Sequence, residues 1–133
     1  MEAYLKLDKE KNTMTKFTVP EDEIAGTRRD PPRVSKTLIC EHTVGSTQIS
    51  MGVNITEVNS RIPLHSHTDS EEAMYIIQGN GVLRAEGKEY ELHPGTAIFS
   101  PRGVEHEIIN KGDIPLKLVW AYAPPLPDHL RKK

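Results

Sequence analysis

Residues 65 to 72 read HSHTDSEE, two histidines separated by one residue and followed by the adjacent carboxylates Glu71 and Glu72. In an extended strand, side chains two apart point the same way, so His65 and His67 can offer both imidazoles to one metal ion. Imidazole plus carboxylate is a usual ligand set for Zn, Mn, Fe, Ni or Cu. Which acid joins the histidines is left open by periodicity. Glu72 shares its parity with Met74 and Ile76, Glu71 with Ala73, Tyr75 and Ile77, and both faces are apolar enough to turn inward. His42, His93 and His129 have no comparable spacing and read as ordinary surface or loop residues, and the lone Cys40 as a buried small hydrophobe rather than a nucleophile.

The elements that must position these groups have period 2. In QISMGVNIT, Ile49, Met51, Val53 and Ile55 fall on one face and Gln48, Ser50, Gly52, Asn54 and Thr56 on the other. In LKLVWAY, Leu116, Leu118, Trp120 and Tyr122 share a face. Further β-rich runs lie at 36–41, 72–78, 82–86, 97–99 and 106–110, separated by the turn signals QGNG, AEGK, HPG, PRG and NKGD. No helix-length amphipathic pattern interrupts them. Many short strands at near-regular spacing predict an all-β antiparallel sandwich or barrel whose interior can hold a small ligand. Residues 1–33, broken by VPEDE and RRDPPR, are expected to form an extended arm with at most one short strand; 34–122 form the barrel, and the proline-rich 123–133 a tail with a solvated end.

A chain of 133 residues suits one domain with a core of its own. With 17 Lys plus Arg against 19 Asp plus Glu, the net charge of −2 provides no basic footprint for nucleic acid. One cysteine cannot make an internal disulfide, and the charged N-terminus lacks an apolar leader, so the expected setting is cytoplasmic, with no membrane partner.

The run His65-x-His67, four residues, Glu72, six residues, Gly79 resembles the first motif of the cupin family, G(X)5HXH(X)3,4E(X)6G. Only Glu72, not Glu71, has the six-residue spacing to Gly79. The second motif, G(X)5PXG(X)2H(X)3N, is matched by Gly95, Pro101, Gly103, His106 and Asn110. Nine of the ten motif positions agree; the leading glycine of the first is Asn59, a residue that tolerates positive φ. The resemblance implies a single-domain jelly-roll β-barrel holding one divalent transition metal per subunit through His65, His67, Glu72 and His106. Iron or manganese is favoured, with zinc, nickel and copper as alternatives. Gly79, Gly81, Gly95 and Gly103 are expected at positive φ, and Asn110 as a turn-stabilising hydrogen-bonder.

By parity with Glu72, the substrate pocket is expected to be mainly apolar, lined by Met74, Ile76, Phe99, Ile108 and Trp120, with Val53 and Ile55 adding walls. Tyr122 is the candidate general acid or base, provided its pKa is lowered. Arg61, on the His65 parity, is the candidate clamp for a substrate carboxylate. Together these features predict a metal-dependent enzyme on a small organic molecule, with oxygenase (dioxygenase-like) chemistry favoured over decarboxylase, lyase or isomerase chemistry. The alternative is a non-catalytic binding or sensing barrel. Cupins commonly pair, and the N-terminal arm could add a strand to a neighbouring subunit, so a homodimer is expected.

Overall fold

The computed structural model describes residues 13–132. The expected arm therefore lies partly outside the described residues. Ten strands follow: β1 (Thr27–Arg29), β2 (Arg33–Ile39), β3 (Ser50–Thr56), β4 (Arg61–His65), β5 (Glu71–Gln78), β6 (Gly81–Ala85), β7 (Lys88–Leu92), β8 (Ala97–Ser100), β9 (His106–Asn110) and β10 (Leu116–Ala123). They form a six-stranded sheet, β1-β2-β3-β10-β5-β8, and a four-stranded sheet, β4-β9-β6-β7. Every pairing is antiparallel. Sequence neighbours are often not sheet neighbours: β10 lies between β3 and β5, which is the crossing pattern of a jelly roll. The main core fills the space between the sheets, with Met74, Ile76 and Leu118 from one and Leu92 and Ile108 from the other.

On β5 the alternation is clean. Glu72, Met74 and Ile76 are buried while Glu71, Tyr75 and Ile77 are exposed. On β3 it is reversed relative to expectation. Ser50, Gly52, Asn54 and Thr56 face the barrel interior, and Val53 packs outside it in a second small core with Ile24 and Leu38. The register explains why: Tyr122, Trp120 and Leu118 of β10 lie directly opposite Ser50, Gly52 and Asn54, and directly opposed residues share a face. The broad indole needs that polar face to be shallow. A Cβ at Gly52 would collide with the Trp120 ring and the Lys36 carbonyl.

The second core gives the N-terminal segment a structural role. Ile24 is fully buried, Met14 and Val19 pack beside it, and Lys117 Nζ of β10 meets the Glu21 carboxylate at 2.9 Å. β1 pairs with β2 of its own chain. Asn59 adopts φ 64°, as its motif position requires, but Gly81 has no positive φ; it is small because Ile109's carbonyl and Leu116 crowd it. Asn110 is the turn-holder expected of it. Its Nδ2 donates to the carbonyls of Thr56, Glu57 and Ile114, and its Oδ1 accepts from Gly112 N–H.

Candidate metal centre

The sheets bring together residues from three strands and one connection. His65 closes β4 and is the direct cross-strand partner of His106, which opens β9. His67 lies just beyond β4, its carbonyl accepting a 2.8 Å bond from Gly103 N–H in the PRG turn. Glu72 enters from β5, whose parity buries it. The four ligand-capable atoms all lie within 4.8 Å of one another.

Backbone carbonyls orient two of the rings. His65 Nδ1 lies 2.7 Å from Pro63 O and His106 Nδ1 3.1 Å from Val104 O, so each Nδ1–H donates there and the Nε2 lone pair is left facing inward. Glu72 Oε1 lies 3.4 Å from His106 Nε2 and 3.6 Å from His67 Nε2. Both Glu72 Oε1 and His106 Nε2 are buried without a hydrogen-bond partner. Orphaned buried polar atoms are costly, and two aimed at one point are what a cation would satisfy.

Burial pushes the pKa of His65 and His67 below the ordinary imidazole value, favouring the neutral form that ligates. At His106, burial works the same way, but Glu72 and the Val104 carbonyl outweigh it and the net direction is upward. Three imidazoles and a carboxylate fit a divalent transition ion and leave positions open on a six-coordinate one.

The cluster forms part of the wall of a cavity of about 570 Å³, ample for a small organic molecule. Residues 54–122 match the family model described as a cupin domain. The chain belongs to the cupin family. It is 36% identical over 76 residues to the uncharacterized protein MJ1618 of Methanocaldococcus jannaschii, a span covering 57% of this chain and 61% of that protein. It is 30% identical over 93 residues to the tetracenomycin polyketide synthase protein TcmJ of Streptomyces glaucescens, covering 70% and 62%. The chain thus spans little more than three fifths of these relatives' length. A predicted oxalate decarboxylase from Thermotoga maritima superposes with a TM-score of 0.73 at 22% identity, over 81% of this cupin and 99% of that chain. At that identity the likeness is one of fold.

Of the expected pocket residues, Met74, Ile108 and Trp120 line the cavity of this cupin. Ile76 is fully buried in the main core and does not reach it. Phe99 faces outward at 59% exposure, because Ile98 and Ser100 are the residues of β8 that oppose Met74 and Glu72. Val53 and Ile55 are likewise absent from the cavity wall. The pocket is not apolar throughout: Thr27, Arg29, Arg33, Ser35, Thr37 and Asn54 make one wall polar. Arg61 lies outside the cavity, its Nε 3.3 Å from Glu107, and is not placed to clamp a substrate there.

Tyr122 is at the site, its hydroxyl 3.3 Å from His67 Nε2. Burial, followed by Glu72, raises its pKa, the opposite of the lowering that base catalysis would need; it is a phenol that donates. His129, expected on the surface, is buried. Its Nδ1 lies 2.8 Å from Ser50 Oγ, its ring stacks on Trp120 at 5.3 Å, and it lines the cavity beside Leu126 and Asp128. The C-terminal segment therefore closes part of the site. Glu41 helps to hold it there, donating its N–H to His129 O and accepting from Arg131 N–H, and His42 Nε2 lies 3.2 Å from the Asp128 carbonyl.

Proposed function

We propose that this cupin is a metal-dependent enzyme acting on a small organic substrate, with oxygenase chemistry first among the reactions it would carry out. The observation that carries the reading is the pair of buried, partnerless ligand atoms, Glu72 Oε1 and His106 Nε2, set among three imidazoles in the wall of a cavity of about 570 Å³. His65, His67, Glu72 and His106 would hold the ion, most suitably iron or manganese. Such an ion supplies Lewis acidity and, when redox-active, the means to use dioxygen.

The chain's own residues do the rest. Tyr122 would donate its hydroxyl proton in a hydrogen bond to a substrate oxygen beside His67. Met74, Ile108 and Trp120 would pack the apolar body of the substrate and exclude water, while the polar wall receives its oxygens. The name of one sequence relative, a tetracenomycin polyketide synthase protein, is in keeping with a small organic substrate.

The test is a turnover assay of protein reconstituted separately with each metal. Oxygen uptake and product formation are followed over small diketones, phenols and keto acids. Turnover with iron or manganese that is lost in Glu72→Ala supports the reading. A full complement of metal with no turnover on any of these compounds would turn it toward a non-catalytic binding cupin. We also read the protein as a homodimer. Tyr75, Ile77 and Phe99, all exposed on the outer face of β5 and β8, support that reading, which sedimentation of a monomer would contradict.

A further inference from the structure

The metal centre leaves the polar wall of the cavity unused. Arg29 of β1 and Arg33 of β2 are direct cross-strand partners across the turn Asp30-Pro31-Pro32, and both line the cavity. Directly opposed side chains start roughly 5 Å apart, and like charges in that relation are destabilising. Neither arginine forms an ion pair with any described residue. Arg28, on the opposite parity, is satisfied by Glu57 at 3.0 Å. For Arg33 the one hydrogen bond is from Nη1 to the Pro31 carbonyl, 3.0 Å away.

Burial, and then the charge of Arg29, lower the pKa of Arg33, and Asp30 offsets this in part. The charge of Arg33 is the smallest of the influences on His65 and that of Arg29 the smallest on Tyr122, so both guanidinium groups lie within electrostatic reach of the same cavity. Two forked cations start side by side in the cavity wall, Arg33 partly buried and Arg29 exposed at its rim, an arrangement that is unfavourable on its own. A planar oxyanion lying between them removes the repulsion and takes up the free N–H donors. Asp128 also lines the cavity and sets one negative charge against these two positive ones. Beside the arginines, Ser35 is flanked in register by Thr27 and Asn54, a row of neutral hydrogen-bonding groups.

We propose that Arg29 and Arg33 form a carboxylate clamp, so that the molecule this cavity takes is a small organic acid held by its carboxylate at the β1–β2 pair. The clamp lies outside residues 54–122, where the family match falls. As a statement about substrate class it rests on the enzymatic reading above, but its binding chemistry does not need the metal. That separates the two experimentally.

The probes are benzoate and benzamide, which share shape but differ in charge. Their binding is followed by calorimetry and by the fluorescence of Trp120, the only tryptophan in the chain and part of the cavity wall. It is measured on chelator-stripped and on zinc-loaded wild type, on R29Q, on R33Q and on the double variant. Stripped wild type is expected to bind benzoate about tenfold or more tightly than benzamide. Each single variant should lose severalfold in benzoate affinity. The double variant should lose the preference while its benzamide affinity stays at the wild-type value, which also shows that its cavity is intact. Equal binding of the two probes, or no binding of benzoate, by stripped wild type overturns the clamp. So does a benzoate preference that survives in the double variant or exists only with zinc, which would make the metal the anion site. If the chain proves to hold no metal, the enzymatic reading fails while the preference of the stripped protein still decides the clamp.

Discussion

Glu72 and Glu71 are chemically identical neighbours with opposite fates, one buried against His67 and His106, the other on the outer face of β5. Periodicity leaves the two open in the sequence, and what distinguishes them is the resemblance to the cupin motif, whose six-residue spacing to Gly79 only Glu72 has. The same arithmetic fails at Ile98 and Phe99, adjacent apolar residues in the four-residue strand β8, where nothing local says which one turns inward. Gly52 marks another residue-scale constraint. Gly52→Ala should destabilise the fold by about 1–3 kcal/mol through overpacking against Trp120, read as a lowered denaturation midpoint at unchanged slope. Tyr122→Phe should keep the wild-type metal content, since the hydroxyl lies outside the ligand cluster, but should slow any turnover that uses its donated hydrogen bond.

At the scale of elements, β3 has the most instructive faces. Its alternation was legible, but not the direction of its apolar side, because this sheet has packing on both surfaces: the main core inside and the Ile24, Leu38 and Val53 cluster outside. An apolar face then says only that something covers it. The β1–β2 pair was obscured for another reason, since RRDPPR reads as proline-broken arm until the register shows a tight turn with Arg29 and Arg33 opposed. The connections are held by side chains as much as by strands. Asn110 ties the end of β9 to the carbonyls of Thr56, Glu57 and Ile114, so Asn110→Ala should cost about 2–3 kcal/mol as these groups lose their donor. Equilibrium unfolding in urea measures that loss, and a change below about 0.5 kcal/mol would remove Asn110 from this role.

Over the whole molecule, chain return assembles what local patterns cannot. His106 reaches His65 only because β9 lies beside β4, and the C-terminal segment brings His129 onto Trp120. Burial lowers the His129 pKa below that of the unfolded chain, so between the folded and unfolded values the unfolded state binds more protons and stability rises with pH. Metal-loaded protein should therefore lose thermal stability as pH falls from about 7 toward 5, and His129→Gln should flatten that dependence. His65, His67 and His106 add their own pH dependence, since in loaded protein they give up the ion and take up protons on unfolding, so the part due to His129 is the difference between wild type and His129→Gln rather than the wild-type slope itself. The central claim is that the converging His65, His67, Glu72 and His106 hold one metal ion. Elemental analysis of protein purified without a histidine tag, repeated for Glu72→Ala and His106→Ala, tests it most directly. The account predicts close to one transition-metal ion per chain in the wild type and loss of the metal in both variants; equal metal content in all three proteins, or none in the wild type after reconstitution, would contradict it.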